Sequence, residues 1–161
     1  AYYLSAVSYY EQISDVGRDQ KMTALALQSL EELVQRFPDT SYARDARLKI
    51  DLTRDHLAGK EMDIGRYYLT RFHYVAAVNR FRRVIERYQT TSHVPEALHR
   101  LVEAYLVLGV PHEAQVAAAV LGHNFPGSEW YLDSYALLEG VNLRPTEDKG
   151  SWISQAFDAI F

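Results

Sequence analysis

Residues 95–126 read PEALHRLVEAYLVLGVPHEAQVAAAVLGHNFP. Two apolar-periodic runs are split there by a glycine and a proline, and this unit limits the fold more than any other stretch. Gly109 ends the first run, where a left-handed C-cap would cost a residue with a Cβ roughly 1 kcal/mol. Ala114 is small enough for the second helix to approach the first closely, and Pro126 stops it, since proline cannot continue a helix. A helix pair of this kind cannot bury its apolar face alone, so it demands neighbours of the same design.

The spacing matches the 34-residue tetratricopeptide pattern. Leu101 takes the large apolar position of helix A, Val102 the usually small position beside it, and Tyr105 the aromatic position. The segments LEELVQRFPDTSYARDA, FRRVIERYQTTSHVPEA and AAVLGHNFPGSEWYLDS repeat one layout, in which Phe37, Tyr88 and Phe125 close successive helices. Tyr88 to Phe125 spans 37 residues, but Phe37 to Tyr88 spans 51. The difference is roughly four helical turns at about 3.6 residues per turn, which predicts one unusually long helix.

That helix is expected from Ser41 to about Arg71. The stretch holds no proline, and Tyr42, Ala46, Ile50, Leu57, Ile64 and Tyr68 recur at helical spacing as its apolar stripe. Asp39, Thr40 and Ser41 are N-cap candidates, and Asp45 with Lys49 and Arg47 with Asp51 are i,i+4 pairs. Gly65 falls at the small position of the second repeat, where the facing helix packs closely. The remaining elements are expected as helices over Tyr2–Ile13, Gln20–Phe37, Tyr74–Tyr88, His93–Leu108, His112–Asn124 and about Ser128–Gly140, with SDVGRDQ as a polar loop. The fold class is thus all-α: a tetratricopeptide-repeat solenoid of helix-turn-helix pairs with one long fused helix. Residues 1–143 are read as one repeat domain of three repeats plus a capping helix, and 144–161 as a linker and short amphipathic tail.

Composition narrows the function. With 17 basic against 21 acidic residues the chain carries a formal charge of −4, no electrostatic footprint for nucleic acid. No apolar run approaches the roughly 18 residues that cross a bilayer. The chain starts at Ala1 inside an apparent helix, so its N-terminus looks cut and a signal peptide is not seen. Without cysteine there is no disulfide or thiol chemistry. The six histidines (His56, His73, His93, His99, His112 and His123) never take H-x-x-x-H or H-E-x-x-H spacing, and they read as helix ends and solvated faces. Glu31 and Glu32 lie on charged helix faces, and no nucleophile elbow or glycine-rich phosphate loop occurs. No catalytic, metal or cofactor site is expected.

Two surfaces remain. On the helix from Tyr74, the apolar stripe Ala77, Val78, Phe81, Val84, Ile85 and Tyr88 leaves Arg80, Arg83 and Arg87 together on another face. Arginines so placed suit bidentate capture of a partner's carboxylates, the other reading being an ordinary solvated face. The chain also holds 12 tyrosines; Tyr2, Tyr3, Tyr9 and Tyr10, with Tyr67 and Tyr68, are core or groove lining, and the first four mark a possible peptide groove. In the tail, Trp152, Ile153, Ala156, Phe157 and Ile160 share one side of a short helix. It either binds a partner or folds back over the open apolar end of the last repeat.

Specific motifs carry a resemblance. R-D-x-L-A-x-x-E at Arg54 to Glu61, R-Y-Y at Arg66 to Tyr68, A-A-V-N-R at Ala76 to Arg80 and Y-x-x-L-G-x-x-x-E-A at Tyr105 to Ala114, together with SDVGRDQ and FPDTSYARDA, resemble the BamD (ComL, YfiO) family of outer-membrane assembly lipoproteins over roughly Tyr2 to Gly140. The resemblance implies a non-enzymatic scaffold of about five repeats. Such a protein is held by an acylated N-terminal cysteine at the periplasmic face of the outer membrane, and this chain corresponds to its C-terminal three-repeat half without the anchor. The implied partners are the membrane-proximal POTRA domain of BamA, other barrel-assembly lipoproteins and unfolded outer-membrane proteins. On that resemblance Arg80 pairs with an acidic residue of the POTRA domain, with Asn79, Arg83 and Arg87 as neighbours. A generic periplasmic peptide-binding adaptor, using the tyrosine groove instead, is the alternative.

Overall fold

The structure is a computed structural model that describes residues 1–15, 18 and 20–158. Val16, Gly17 and Asp19 of the expected loop, and Ile160 and Phe161 of the tail, lie outside the described residues. Among the described residues there are eight α-helices and no strand: α1 Tyr2–Glu11, α2 Gln20–Arg36, α3 Ser41–Thr70, α4 Tyr74–Arg87, α5 Val94–Leu108, α6 Pro111–Asn124, α7 Glu129–Gly140 and α8 Trp152–Asp158. In chain order they follow the alternation expected of the helix pairs α1/α2, α3/α4 and α5/α6. The long element is α3, an unbroken helix of 30 residues.

The chain gathers into two compact units, Ala1–Lys60 and Glu61–Phe161. In the first, Ala6 of α1, Leu30 and Leu33 of α2, and Ala46 and Ile50 of α3 form the core, with Tyr3, Tyr10, Leu27 and Val34 packed against it. Thr40 caps α3: its hydroxyl accepts from the Ala43 N–H at 3.2 Å and donates to the Phe37 carbonyl at 2.8 Å. Lys49 pairs with Asp45 at 3.0 Å as the spacing requires. Arg47 instead turns back to the Pro38 carbonyl, at 3.0 Å. The apolar stripe also differs from expectation, because Tyr42 is 56% exposed. Ala43, Ala46, Ile50 and Thr53 are the buried side here, with Ala46 and Ile50 packed into the core with α1 and α2.

In the second unit α5 is the central helix, packed against α4, α6 and α7 and burying Leu98, Leu101, Val102 and Tyr105 among others. Gly65 of α3 is where the sequence places a close approach. A Cβ built there would run into the Phe81 ring of α4, which is fully buried. Three helices end in the same hydrogen-bond motif, in which the residue past a left-handed turn donates back to a carbonyl five residues earlier: His73 to Tyr68, Val110 to Tyr105 and Leu143 to Leu138, each at 2.9 Å. The left-handed residues are Phe72 (φ 62°), Gly109 (φ 73°) and Asn142 (φ 59°). Glycine and asparagine accept that conformation at little cost. Phenylalanine does not, and the Cβ strain is roughly 1–2 kcal/mol.

The tail folds back. Ile153 is fully buried and Phe157 is 4% exposed, and α8 lies against α6, the second helix of the pair expected as the last repeat, and against α4 as well. The chain leading to it is tied down as well: Gln115 of α6 donates to the Arg144 carbonyl at 2.7 Å and accepts from the Thr146 N–H at 3.2 Å.

Candidate functional site

α4 earns its position from its sequence. Ala77, Phe81, Val84 and Ile85 recur at helical spacing and are buried, with Val78 and Tyr88 half-buried beside them, which rotates Ala76, Asn79, Arg80, Arg83 and Arg87 away from the core. Ala76 and Arg80, like Asn79, Arg83 and Arg87, are four residues apart and line up along the helix.

The structure joins this face to a residue that spacing does not connect to it. Glu61 of α3 accepts from Arg80 Nη1 at 3.1 Å through one carboxylate oxygen and faces Arg83 Nη1 at 3.5 Å through the other. The Arg80 and Glu61 side chains are only 27% and 19% exposed, Arg83 47%. One carboxylate thus orients two guanidiniums and leaves the cluster with a net positive charge. A guanidinium has five N–H donors, and the hydrogen bond to Glu61 uses one of those of Arg80, so the pair does not exhaust the fork. Arg87, in the last turn of α4, is exposed and complements the negative end of the helix dipole. The signal for Glu61 was already in the R-D-x-L-A-x-x-E motif, but nothing in one sequence says which helix it faces.

Asn79 falls elsewhere than beside Arg80's carboxylate. It borders an open depression of about 650 Å³ at the α3–α4 turn, lined by Tyr68, Phe72, Tyr74, Val75 and, from the end of α5, Leu108. Phe72 is 76% exposed and Val75 62%.

The four tyrosines of the possible groove do not share one surface. Tyr2 and Tyr3 line a pocket of about 500 Å³ with Leu33, Phe37 and Tyr42. The Tyr3 hydroxyl donates to Asp45 at 2.8 Å, which pushes its pKa up, while Arg36 donates to the Tyr2 hydroxyl at 2.9 Å and stacks over its ring. Tyr10 belongs instead to the core margin, with Lys49 over its ring at 5.5 Å, and Tyr9 is half-buried outside the pocket lining.

One histidine departs from the expectation of a helix end or solvated face. His99 is not on a solvated face but 4% exposed, its Nδ1 2.9 Å from the Ser134 hydroxyl and its Nε2 3.6 Å from Glu103, with Trp130 packed on the ring. Ser134 is fully buried, so this serine, histidine and carboxylate present no nucleophile to solvent. They fasten α5 to α7. Burial works against ionisation of Glu103, yet hydrogen bonds from His99 and Arg100 hold its pKa below the ordinary value. The sequence missed His99 because its burial depends on α7 closing over it. Among the described residues no group of three or more metal-ligating side chains forms a metal site, and no helix is long and apolar enough to cross a membrane.

Known proteins resemble the chain over most of its length. The profile of the YfiO family, described as outer membrane lipoprotein, matches residues 1–121. The chain is 60% identical over 145 residues to outer membrane protein assembly factor BamD of Caulobacter vibrioides, covering 90% of this chain and 48% of that protein. It is 55% identical over 139 residues to the protein of that name from Rickettsia prowazekii, with 86% and 55% covered, and 45% identical over 118 residues to the one from Neisseria meningitidis serogroup A, with 73% and 44% covered. The chain therefore spans about half the length of the curated relatives it matches. Its helical repeats, its long α3 and the extent of this identity have one reading: the chain belongs to the YfiO/BamD family of outer-membrane assembly lipoproteins.

Proposed function

We propose that this chain is a docking module of the machinery that folds and inserts β-barrel proteins into the outer membrane, acting without catalysis, and that α4 carries its partner-binding face. Its partner in this reading is the membrane-proximal POTRA domain of BamA, with other barrel-assembly lipoproteins and unfolded outer-membrane proteins engaged by the full-length protein at the periplasmic face. The observation that carries it is the Arg80–Glu61–Arg83 cluster. A half-buried guanidinium fixed in place by one internal carboxylate loses little side-chain freedom on binding, and its remaining donors match an incoming carboxylate bidentately. The cluster's surplus positive charge favours an acidic partner despite the net negative charge of the chain.

The test is a titration of the wild-type chain and Arg80→Ala with the purified POTRA domain. Truncating one partner of a desolvated charge pair costs about 2 kcal/mol at the low end, near thirtyfold in Kd, and far-UV circular dichroism should be unchanged. Equal affinities for the two proteins would sink the arginine's role. Arg80→Glu is less clean, because the new carboxylate would face Glu61. Tyr2→Ala serves as a control: loss of binding there, with Arg80→Ala silent, would instead favour the peptide-groove reading.

A further inference from the structure

The turn between α3 and α4 holds a side chain that the fold does not need. Phe72 sits in the left-handed region at φ 62°, where glycine or asparagine serves the equivalent position of α5 and α7. A phenylalanine in that conformation is strained, and burial does not compensate it, since 76% of the residue is exposed. It stands over the open depression of about 650 Å³ with Val75, Leu108 and Tyr74. Val107 and Val110, flanking the end of α5, are also exposed. An exposed apolar cluster of this kind marks an interaction surface more often than chance scatter does.

The depression is continuous with the arginine cluster. Ala76 and Asn79 line it, and one turn further along α4 the same two rows carry Arg80 and Arg83, which share Glu61. Apolar and basic halves therefore follow one another along a single helix. We infer that Phe72 and its neighbours form the apolar half of the docking surface whose basic half is Arg80 and Arg83. Its occupant is one partner surface presenting a large aliphatic or aromatic side chain beside an acidic one, so that the apolar group enters the depression as the carboxylate meets the guanidiniums. This inference rests on the reading of α4 as the partner-binding face and specifies the chemistry of that partner. A second copy of this chain fits less well, because it would have to bring an acid to a cluster that is itself basic.

The strain at Phe72 makes the test unusually clean. Phe72→Gly removes the aromatic ring and relieves the backbone, so stability and binding should move in opposite directions. The expected result is an unchanged or higher melting temperature and, in titration with the POTRA domain of BamA, an affinity lower by about tenfold, as for a central apolar contact. Val75→Ser should weaken binding in the same direction without the backbone change. Unchanged affinity in both variants, with Arg80→Ala still weakened, would overturn the apolar half and leave the arginine reading intact. Weakening by Phe72→Gly with Arg80→Ala silent would keep the apolar surface and remove the charged one, and no binding by the wild-type chain would overturn both. Sedimentation of the wild-type chain and Phe72→Gly supplies the remaining arm, since a concentration-dependent dimer lost in the variant would assign the surface to self-association and overturn the proposed occupant.

Discussion

At the scale of single residues, Gly65 and Arg80 show how a side chain's neighbour decides its role. Gly65 is helical, where glycine ordinarily costs about 1 kcal/mol against alanine, so the intrinsic preference favours Gly65→Ala. The Phe81 ring lies where the new methyl would go, and Phe81 is fully buried, so the ring would have to shift within the core. Overpacking at about 1–3 kcal/mol outweighs the propensity gain. Gly65→Ala should lower the melting temperature by several degrees, measured by circular dichroism; a rise would mean that the Phe81 ring yields freely. Arg80 is the converse case, since its motif position pointed to a partner outside the chain, while its geometry gives it Glu61 inside the chain as well. The internal pair is part-buried, so the cost of desolvating both charges offsets their attraction and it adds little net stability. Its effect is to fix direction.

At the scale of elements, α8 illustrates what amphipathicity leaves open. Trp152, Ile153 and Phe157 share a side whether the helix meets a partner or its own chain. Here it meets α4 and α6: Trp152 stacks on Arg82 at 4.4 Å, Ser151 donates to Glu113 at 3.3 Å, and Gln89 donates to the Ala156 carbonyl at 3.4 Å. Seven residues are too few for a helix to persist by itself, so packing of Ile153 and Phe157 holds it. Phe157→Ala removes much of that packing. In a Trp130→Phe background, Trp152 fluorescence should then shift to the red and quench more readily as α8 detaches, with the helices of the repeats retained. An unshifted spectrum would mean that Ile153 and the polar contacts suffice.

At the scale of the whole molecule, carboxylates bound by cations and hydroxyls set the response to acid. Two Arg66 nitrogens donate to both oxygens of Glu96, at 2.9 and 2.5 Å, tying α3 to α5 and holding the Glu96 pKa below its ordinary value. The Tyr3 hydroxyl and Lys49 lower Asp45, and His112 lowers Asp148. A carboxyl with a depressed folded pKa stabilises the fold fully above its unfolded value, near 4, and loses that contribution as pH falls through the folded value. Melting temperature should therefore be level from neutral pH to about 5 and fall below it. Glu96→Gln should start lower and fall less steeply; an identical acid profile would remove Glu96 from the account.

Much of this could be read in advance, for physical reasons that also fix where reading stopped. Helix positions, the 30-residue α3, the glycine C-cap at Gly109 and the buried stripe of α4 are set by interactions within a few residues along the chain, and periodicity and capping record them directly. The family motifs likewise survive as local strings. What only the tertiary structure decided are pairings across distance in sequence: Glu61 with Arg80 and Arg83, His99 beneath Ser134, α8 on α4 and α6, and the exposure of Phe72. Each depends on which faces of different helices meet, and a helical pattern gives the direction of a face but not what lies opposite it.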